Sequence, residues 1–388
     1  MAKRLVFVII ALALLTFYAS SRVIFRMPEA MAHPWLSWGA AVLFFFLQLL
    51  GPFGDRLWFP ALKRKGWVRL VFWADWLSYF AFGAMSIMVA YGLAFDIGGF
   101  VWQMAAPPPD MAAFDRWVLG LYAGSVALTL AVGVLRVCSP VVERVDIPLH
   151  NLPPAFDGFT IAQISDLHVG PTIKRPYVQK VVDAVNALNP DIIALTGDFI
   201  DGTVEDLADD VAPLMDLRAR DGKFFVTGNH ECYWNPESWT AEFRRLGTRV
   251  LENEHEAIKR GDSTIYIAGV NDYASGDMDI AKAVRGLQPD DAIILLSHQP
   301  ASYSKAEAAG VDLQLSGHSH AGQYFPFTLI IRFFQRYYKG LNRHGKMWIY
   351  VSRGTGYWGP PLRAGAPAEI TLLTLRKNRA QGLPNAPV

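Results

Sequence analysis

Phe159-Thr160-Ile161-Ala162-Gln163-Ile164-Ser165-Asp166-Leu167-His168 is the stretch that decides the fold. Phe159–Ile164 has the apolar, β-branched composition of a short buried strand. It runs straight into an acid and a histidine two residues apart. Residues i and i+2 of extended chain point to one side, so both side chains are expected to aim at the same place.

The arrangement recurs downstream. Asp191–Leu195 runs into Thr196-Gly197-Asp198, and Lys223–Val226 into Thr227-Gly228-Asn229-His230-Glu231. Ala292–Leu296 runs into Ser297-His298-Gln299-Pro300, and Leu313–Leu315 into Ser316-Gly317-His318-Ser319-His320. Pro176–Asn189, between the first two runs, has the apolar spacing of a helix. Strands alternating with helices predict an α/β domain with its site at the strand ends. Imidazole and carboxylate donors suit Mn, Fe or Zn. Asp198 follows a glycine and can offer its carboxylate to two ions. Asn229 supplies a neutral carbonyl oxygen, which Gly228 allows to approach closely. Each motif alone is common in proteins; the ordered set of five predicts a metal site.

Composition sets the rest of the chain apart. Of 388 residues, 52% are hydrophobic and 18% charged, and the apolar excess lies before about residue 140. Leu5–Ser21, Trp35–Phe53, Trp76–Phe95 and Trp117–Cys138 are long enough to be considered as bilayer spans. Trp35, Trp38, Trp58, Trp76, Trp102 and Trp117 fall near their ends, as interfacial aromatics do. Leu5–Ser21, after Lys3 and Arg4, also fits a signal-peptide core. Asp75 is read as the water-facing edge of the third span. Lys3, Arg4, Arg56, Lys63, Arg64, Lys65, Arg69, Arg136 and Arg144 fall on one side; Arg22, Arg26 and Arg116 fall on the other. The positive-inside rule then puts both chain ends in the cytoplasm of a multi-pass inner (plasma) membrane protein. The expected organisation is a transmembrane domain over 1–145, a linker over 146–158 with Pro148, Pro153 and Pro154, and a catalytic domain over 159–388. Ala105–Asp110 reads as a non-cytoplasmic loop.

Net charge is +1. From residue 146 onward there are 24 Lys and Arg against 28 Asp and Glu. A non-specific nucleic-acid binder needs a basic surface instead, so no nucleic-acid partner is expected. Cys138 and Cys232 do not form a disulfide framework and read as free thiols.

The five motifs resemble the calcineurin-like metallophosphoesterase signature, namely Asp-x-His, Gly-Asp, Gly-Asn-His-Glu, His and Gly-His-x-His. The similarity runs from about Phe159 to Leu375. It implies a four-layer αββα sandwich holding two divalent ions. By that resemblance Asp166, His168 and His320 hold one ion and Asn229, His298 and His318 the other. Asp198 bridges the pair. His230 faces the scissile phosphate and protonates the leaving oxygen or stabilises charge. Water shared by two cations becomes a nucleophile at neutral pH, for in-line attack on phosphorus. The segments Gly317–Gln323, Tyr350–Gly354 and Glu369–Thr371 are similar to a bacterial branch, typically membrane-associated or exported, some members of which resemble or act as UDP-2,3-diacylglucosamine hydrolases. The Gly-Gly-Gln usual there is Ala321-Gly322-Gln323 in this chain.

Between Ile330 and Arg379 lie ten Lys and Arg and one acid, Glu369. Leu329–Tyr338 mixes these cations with aromatics. It reads either as an amphipathic lid touching anionic lipid or as a core-facing helix with a solvated basic side. Arg353 and Arg363 are the candidate diphosphate contacts. Asp201, Glu231 and Asp272 are read as supporting groups rather than ligands. The expected activity is hydrolysis of a phosphodiester or pyrophosphate on a lipid-linked substrate such as UDP-2,3-diacylglucosamine. The alternatives are a broad phosphodiesterase or protein phosphatase, and a membrane sensor with a non-turnover domain. A transporter fits poorly, since the spans lack paired charges and broken helices.

Overall fold

The computed structural model describes residues 2–24 and 31–378. Arg26 and Arg379 lie outside them, and the side chains of Lys3, Arg4 and Arg56 are likewise outside the description. The chain divides into two compact units.

The first unit is helical. Its long helices are α1 (Ala2–Ile24), α2 (Pro34–Leu57), α3 (Val68–Ala105) and α4 (Met111–Val137). By length and composition all four can cross a membrane. α3 has 38 residues, far more than the roughly 20 a bilayer needs. Small and polar side chains join the helices, as apolar surroundings favour. Gln48 donates to Thr16 Oγ1 (3.0 Å), and the Gly51 amide donates to Ser78 Oγ (2.9 Å). Asp75 is wholly buried beside this contact rather than at a wet edge. A carboxylate is masked here by small neighbours, Gly51 and Ser78, that leave it room inside the bundle.

Two segments distant in sequence, 324–329 and 358–365, belong to this helical unit. Leu362 fills the space left by two glycines. A Cβ at Gly83 would lie 2.6 Å from Leu362 Cδ1, and one at Gly133 would lie 2.9 Å from Cδ2. The Tyr324 hydroxyl is 3.2 Å from Ser86 Oγ, and the Phe325 ring is 4.8 Å from that of Tyr91.

The second unit is a sandwich of two six-stranded sheets. One holds β1 (Val141–Leu149), β12 (Glu369–Lys377), β2 (Thr160–Ile164), β3 (Ile192–Thr196), β4 (Lys223–Val226) and β5 (Arg249–Val250), in that order. The other runs β10 (Gly340–His344), β11 (Met347–Val351), β9 (Leu313–Ser316), β8 (Ala292–Leu296), β7 (Ser263–Gly269) and β6 (Glu254–Arg260). Period-two alternation explains the core. Ile192 and Ala194 of β3 meet Ile294, Leu296, Leu313 and Leu315 of the opposite sheet in one buried cluster. Outward-facing residues are covered by helices. α5 (Arg175–Asn186) buries Val178, Val181, Val182 and Val185, a stripe of helical spacing. Each such side chain is worth roughly 1.5–3 kcal/mol. Among the short helices, α6 (Val204–Val211) precedes α7 (Asn229–Tyr233) and α8 (Pro236–Arg245). Phe243 of α8 stacks on Phe225 of β4 at 3.8 Å between ring centroids. On the far face, Ile280, Ala283 and Ala306 cover Ile293 and Leu295.

Residues 141–149, divided above between the transmembrane domain (to 145) and the linker (from 146), are strand. β1 pairs in parallel with β12 over Val141↔Glu369 to Leu149↔Lys377. Glu143, Arg144 and Asp146 interrupt β1, so it does not read as an apolar run.

Leu315 is fully buried between the sheets. Leu315→Ala is expected to cost about 2–5 kcal/mol, and Met215→Ala at an exposed site less than about 0.5 kcal/mol. Thermal unfolding in detergent should show a clearly lower midpoint for the first variant only.

Candidate metal centre

All five strand-end loops of the sequence meet at one end of the sandwich. Their candidate ligand atoms fall into three overlapping groups, each with donor atoms within 4.8 Å of one another. These are Asp166, His168 and His320; His168, Asp198 and His230; and Asp198, His298 and His318. His168 and Asp198 each belong to two groups, which makes the cluster able to hold two ions.

The ligand loops do not continue as strands. Asp166, His168, Asp198, His318 and His320 all have positive φ, between 49° and 70°. Non-glycine residues enter the left-handed region at a cost, and such strain concentrates at functional sites. The shared aim of Asp166 and His168 therefore comes from a left-handed turn after β2, not from the strand alternation inferred above. Hydrogen bonds hold these turns. The amides of Asp166 and His168 donate to the carbonyls of Gly197 (3.0 Å) and Asp198 (3.1 Å). Two glycines leave the space this needs. A Cβ on Gly228 would strike the Asp198 carboxylate, and one on Gly317 would strike Ser165 and Asp166.

Glu231 ties two loops together from below. Wholly buried, it accepts from the amides of Asp198 (3.0 Å), Phe199 (2.7 Å) and Gly228 (2.6 Å). Burial and the Asp198 charge push its carboxyl up to about 7. Gln163 is a second tie. Its amide donates to Thr196 Oγ1 (2.9 Å) and to the Ser316 carbonyl (3.0 Å), joining one sheet to the other.

Donor atoms converge without satisfying one another. Asp166 Oδ2, Asn229 Oδ1 and His298 Nε2 are buried and make no hydrogen bond. His298 Nε2 lies 3.0 Å from Asp198 Oδ2 without a hydrogen-bonding alignment. His168 Nε2 and His320 Nε2 face each other at 3.0 Å. Buried polar atoms are normally partnered. Several imidazole and carboxylate donors aimed at shared points fit cations. The other ring nitrogens are held as metal-binding histidines require. His298 Nδ1 lies 2.8 Å from the Thr196 carbonyl, and His168 Nδ1 lies 3.2 Å from Asp201.

Asp201 does more than support one loop. Its carboxylate reaches Nδ1 of His168 and Nδ1 of His230. Burial would raise its pKa, but the charges of His168 and His230 hold it down at about 2. Burial would lower His230; its hydrogen bond to Asp201 and the charges of Asp201 and Asp198 instead lift it to about 9. Burial and the neighbouring His298 lower His318 to about 4. For Asp198, burial is outweighed by His298, His168 and His230, which keep it below the usual carboxylate range.

Of the sequence-derived site candidates, Asp166, His168, Asp198, His230, His298, His318 and His320 fall in these groups. Asn229 is in none of them but directly precedes His230, whose amide donates to Asp198 Oδ1. Arg353 and Arg363 are engaged elsewhere. The Arg353 side chain is held by Glu143 (2.9 Å) and Glu369 (2.5 Å). Arg363 is wholly buried and belongs to the helical unit. Neither presents a free guanidinium to a diphosphate. Their basic character in the sequence is used structurally. Sequence reasoning passed over Tyr233, an exposed residue whose ring lies 5.3 Å from His230. Its position three residues on along α7 is the signal that was available.

Known proteins are similar to this chain in sequence. The family profile described as calcineurin-like phosphoesterase matches residues 159–322. A "Transmembrane protein with metallophosphoesterase domain" of Danio rerio is 33% identical over 350 residues, spanning 83% of this chain and 79% of that protein. A protein of the same name from Bos taurus is 40% identical over 263 residues, 63% of this chain and 59% of the other. An uncharacterized metallophosphoesterase of Helicobacter pylori is 39% identical over 228 residues, 57% and 60% of the two chains. With its four apolar helices and a donor cluster able to bind two metal ions, this chain belongs to the calcineurin-like metallophosphoesterase family.

Proposed function

We propose that the protein is a membrane-anchored, two-metal phosphoesterase that hydrolyses a phosphodiester or pyrophosphate bond on a lipid-linked substrate. UDP-2,3-diacylglucosamine is the specific candidate, and the loop charges favour a catalytic domain on the cytoplasmic side of the inner membrane. The observation that carries the reading is the overlap of donor groups at His168 and Asp198.

In this reading Asp166, His168 and His320 hold one divalent ion, and Asn229, His298 and His318 the other. Asp198 lies between them. Mn, Fe and Zn all suit these donors. When bound, such a pair supplies an acidified water and charge neutralisation on phosphoryl oxygens. The chain's own residues do the rest. Asp201 fixes the His230 ring through Nδ1, leaving Nε2 to meet the phosphate. Protonated His230 then donates to the leaving oxygen or stabilises charge on the phosphoryl group. Tyr233 narrows the approach to that proton. The lipid-linked substrate is supported by the four apolar helices, long enough to hold the chain in a membrane.

Chelation should abolish hydrolysis of a generic phosphodiester, and adding Mn²⁺ back should restore it with two ions bound per chain. Asp198→Asn should lower turnover more than about 100-fold and lose at least one ion by elemental analysis. Normal turnover in that variant removes Asp198 from the bridge.

Asp201→Asn is expected to reduce turnover by about 10–100-fold, the usual cost of losing a group that orients a ligand. The bound-metal count should stay near that of the parent. Loss of both ions would make Asp201 a structural support only.

Purified protein with Mn²⁺ should release UMP from UDP-diacylglucosamine in mixed micelles. Cleavage confined to soluble diesters or phosphoproteins would overturn the lipid assignment while leaving the phosphoesterase reading in place.

A further inference from the structure

The segment between the metal loop and β10 has no place in the chemistry above. It leaves the loop at Gln323, runs through a short helix at Phe327–Ile330 and a 3-10 turn at Ile331–Phe333, and returns at Tyr338. Its return is pinned to the site. Ser319, between His318 and His320, donates to the Tyr338 carbonyl at 2.5 Å. Tyr337 is buried against Ile349 and Val351.

Its tip is apolar and uncovered. Phe333 and Phe334 are 76% and 78% exposed, and Phe327, Leu329 and Ile330 are exposed beside them. The core-facing alternative is thereby excluded, since these side chains do not enter a core. Five exposed large apolar residues within eight positions far exceed the scattered exposure a soluble surface carries. Cations accompany them. Arg332, Arg336 and Lys339 are exposed. The Arg332 guanidinium lies 5.1 Å from the Phe333 ring centroid, and Lys339 Nζ 5.6 Å from that of Tyr338. No Asp or Glu occurs between Asp312 and Glu369 to balance this charge.

Residues 324–329 belong to the helical unit that carries the four apolar helices, and Tyr324 meets α3 at Ser86. The segment therefore starts in the part of the chain long and apolar enough to cross a bilayer, and its apolar tip begins three residues after Tyr324.

We propose that Phe327–Phe334 is an interfacial element. Its apolar side chains enter the lipid surface at the headgroup boundary, and Arg332, Arg336 and Lys339 take anionic lipid headgroups. Apolar side chains entering the lipid surface supply the affinity, and each cation adds to it near an anionic leaflet. The element keeps its docking end beside the metal loop through the Ser319 hydrogen bond. This inference goes beyond the substrate assignment and does not depend on it.

The test uses the full chain in vesicles containing phosphatidylglycerol, with a benzophenone amino acid in place of Phe334. Illumination should attach lipid acyl chains at 334. The same probe at exposed Tyr273 should give none. Neutral phosphatidylcholine vesicles, or the triple variant Arg332→Gln, Arg336→Gln, Lys339→Gln, should lower the adduct yield several-fold at an unchanged melting temperature. A probe at Phe333 provides a second variant should the first not fold. Absence of lipid adducts at both positions, equal adducts at Tyr273, or cross-links to a second copy of the chain would overturn the proposal. Failure to hydrolyse UDP-diacylglucosamine would leave these cross-links unaffected and count only against the substrate.

Discussion

The Asp198 carboxylate sits where four backbone constraints meet, and the metal centre depends on them. The turn behind it has a left-handed Asp198. The Glu231 carboxylate receives its amide. The Gly228 backbone lies so close that a methyl group there would strike it. Its Oδ1 accepts from the His230 amide at 2.8 Å. A carboxylate held this firmly can face two groups of ligands without moving. The stored strain is offset by sheets that are buried on both faces, where β3 and β8 have no exposed residue. Such a scaffold over-determines the turns that grow from it.

The fold was legible because the sequence obeys two periodicities at once. Runs such as Ile192–Leu195 and Ala292–Leu296 are apolar throughout, as strands covered on both sides must be. The candidate ligands were picked out because their residue types are scarce and their order is fixed. What escaped was whatever depends on a partner far away in sequence. β1 reads as the end of the transmembrane domain running into a linker because polar residues interrupt it; only its pairing with β12, more than 200 residues on, makes it a strand. Asp75 looks like a boundary residue because its burial depends on Gly51 and Ser78. Arg353 looks free because Glu143 and Glu369 are distant in the chain.

The backbone geometry at these candidate residues was harder to read than their clustering. Strand alternation correctly predicts that Asp166 and His168 aim together, but for the wrong reason. Both residues leave the strand conformation, and the left-handed turn brings the two atoms inward. Left-handed aspartate and histidine cost energy that a sequence does not display. Their presence at five candidate ligands is itself an argument for function, because an ordinary strand end would relax to glycine or to extended backbone.

Membrane and metal are joined by chain continuity. Metal loop 318–323 passes directly into residues 324–329, which belong to the helical unit, and Gly356-Tyr357 passes into 358–365, which does as well. Leu362 between Gly83 and Gly133, and Tyr324 against Ser86, are packed contacts rather than loose tethers. The candidate donors His318 and His320 lie only a few residues before the first of these segments, and Gly356-Tyr357 lies directly before the second. The helical unit is thus completed by three separate stretches of sequence rather than by the N-terminal part alone, and Leu362 and Tyr324 fill places in it that its own four helices leave open.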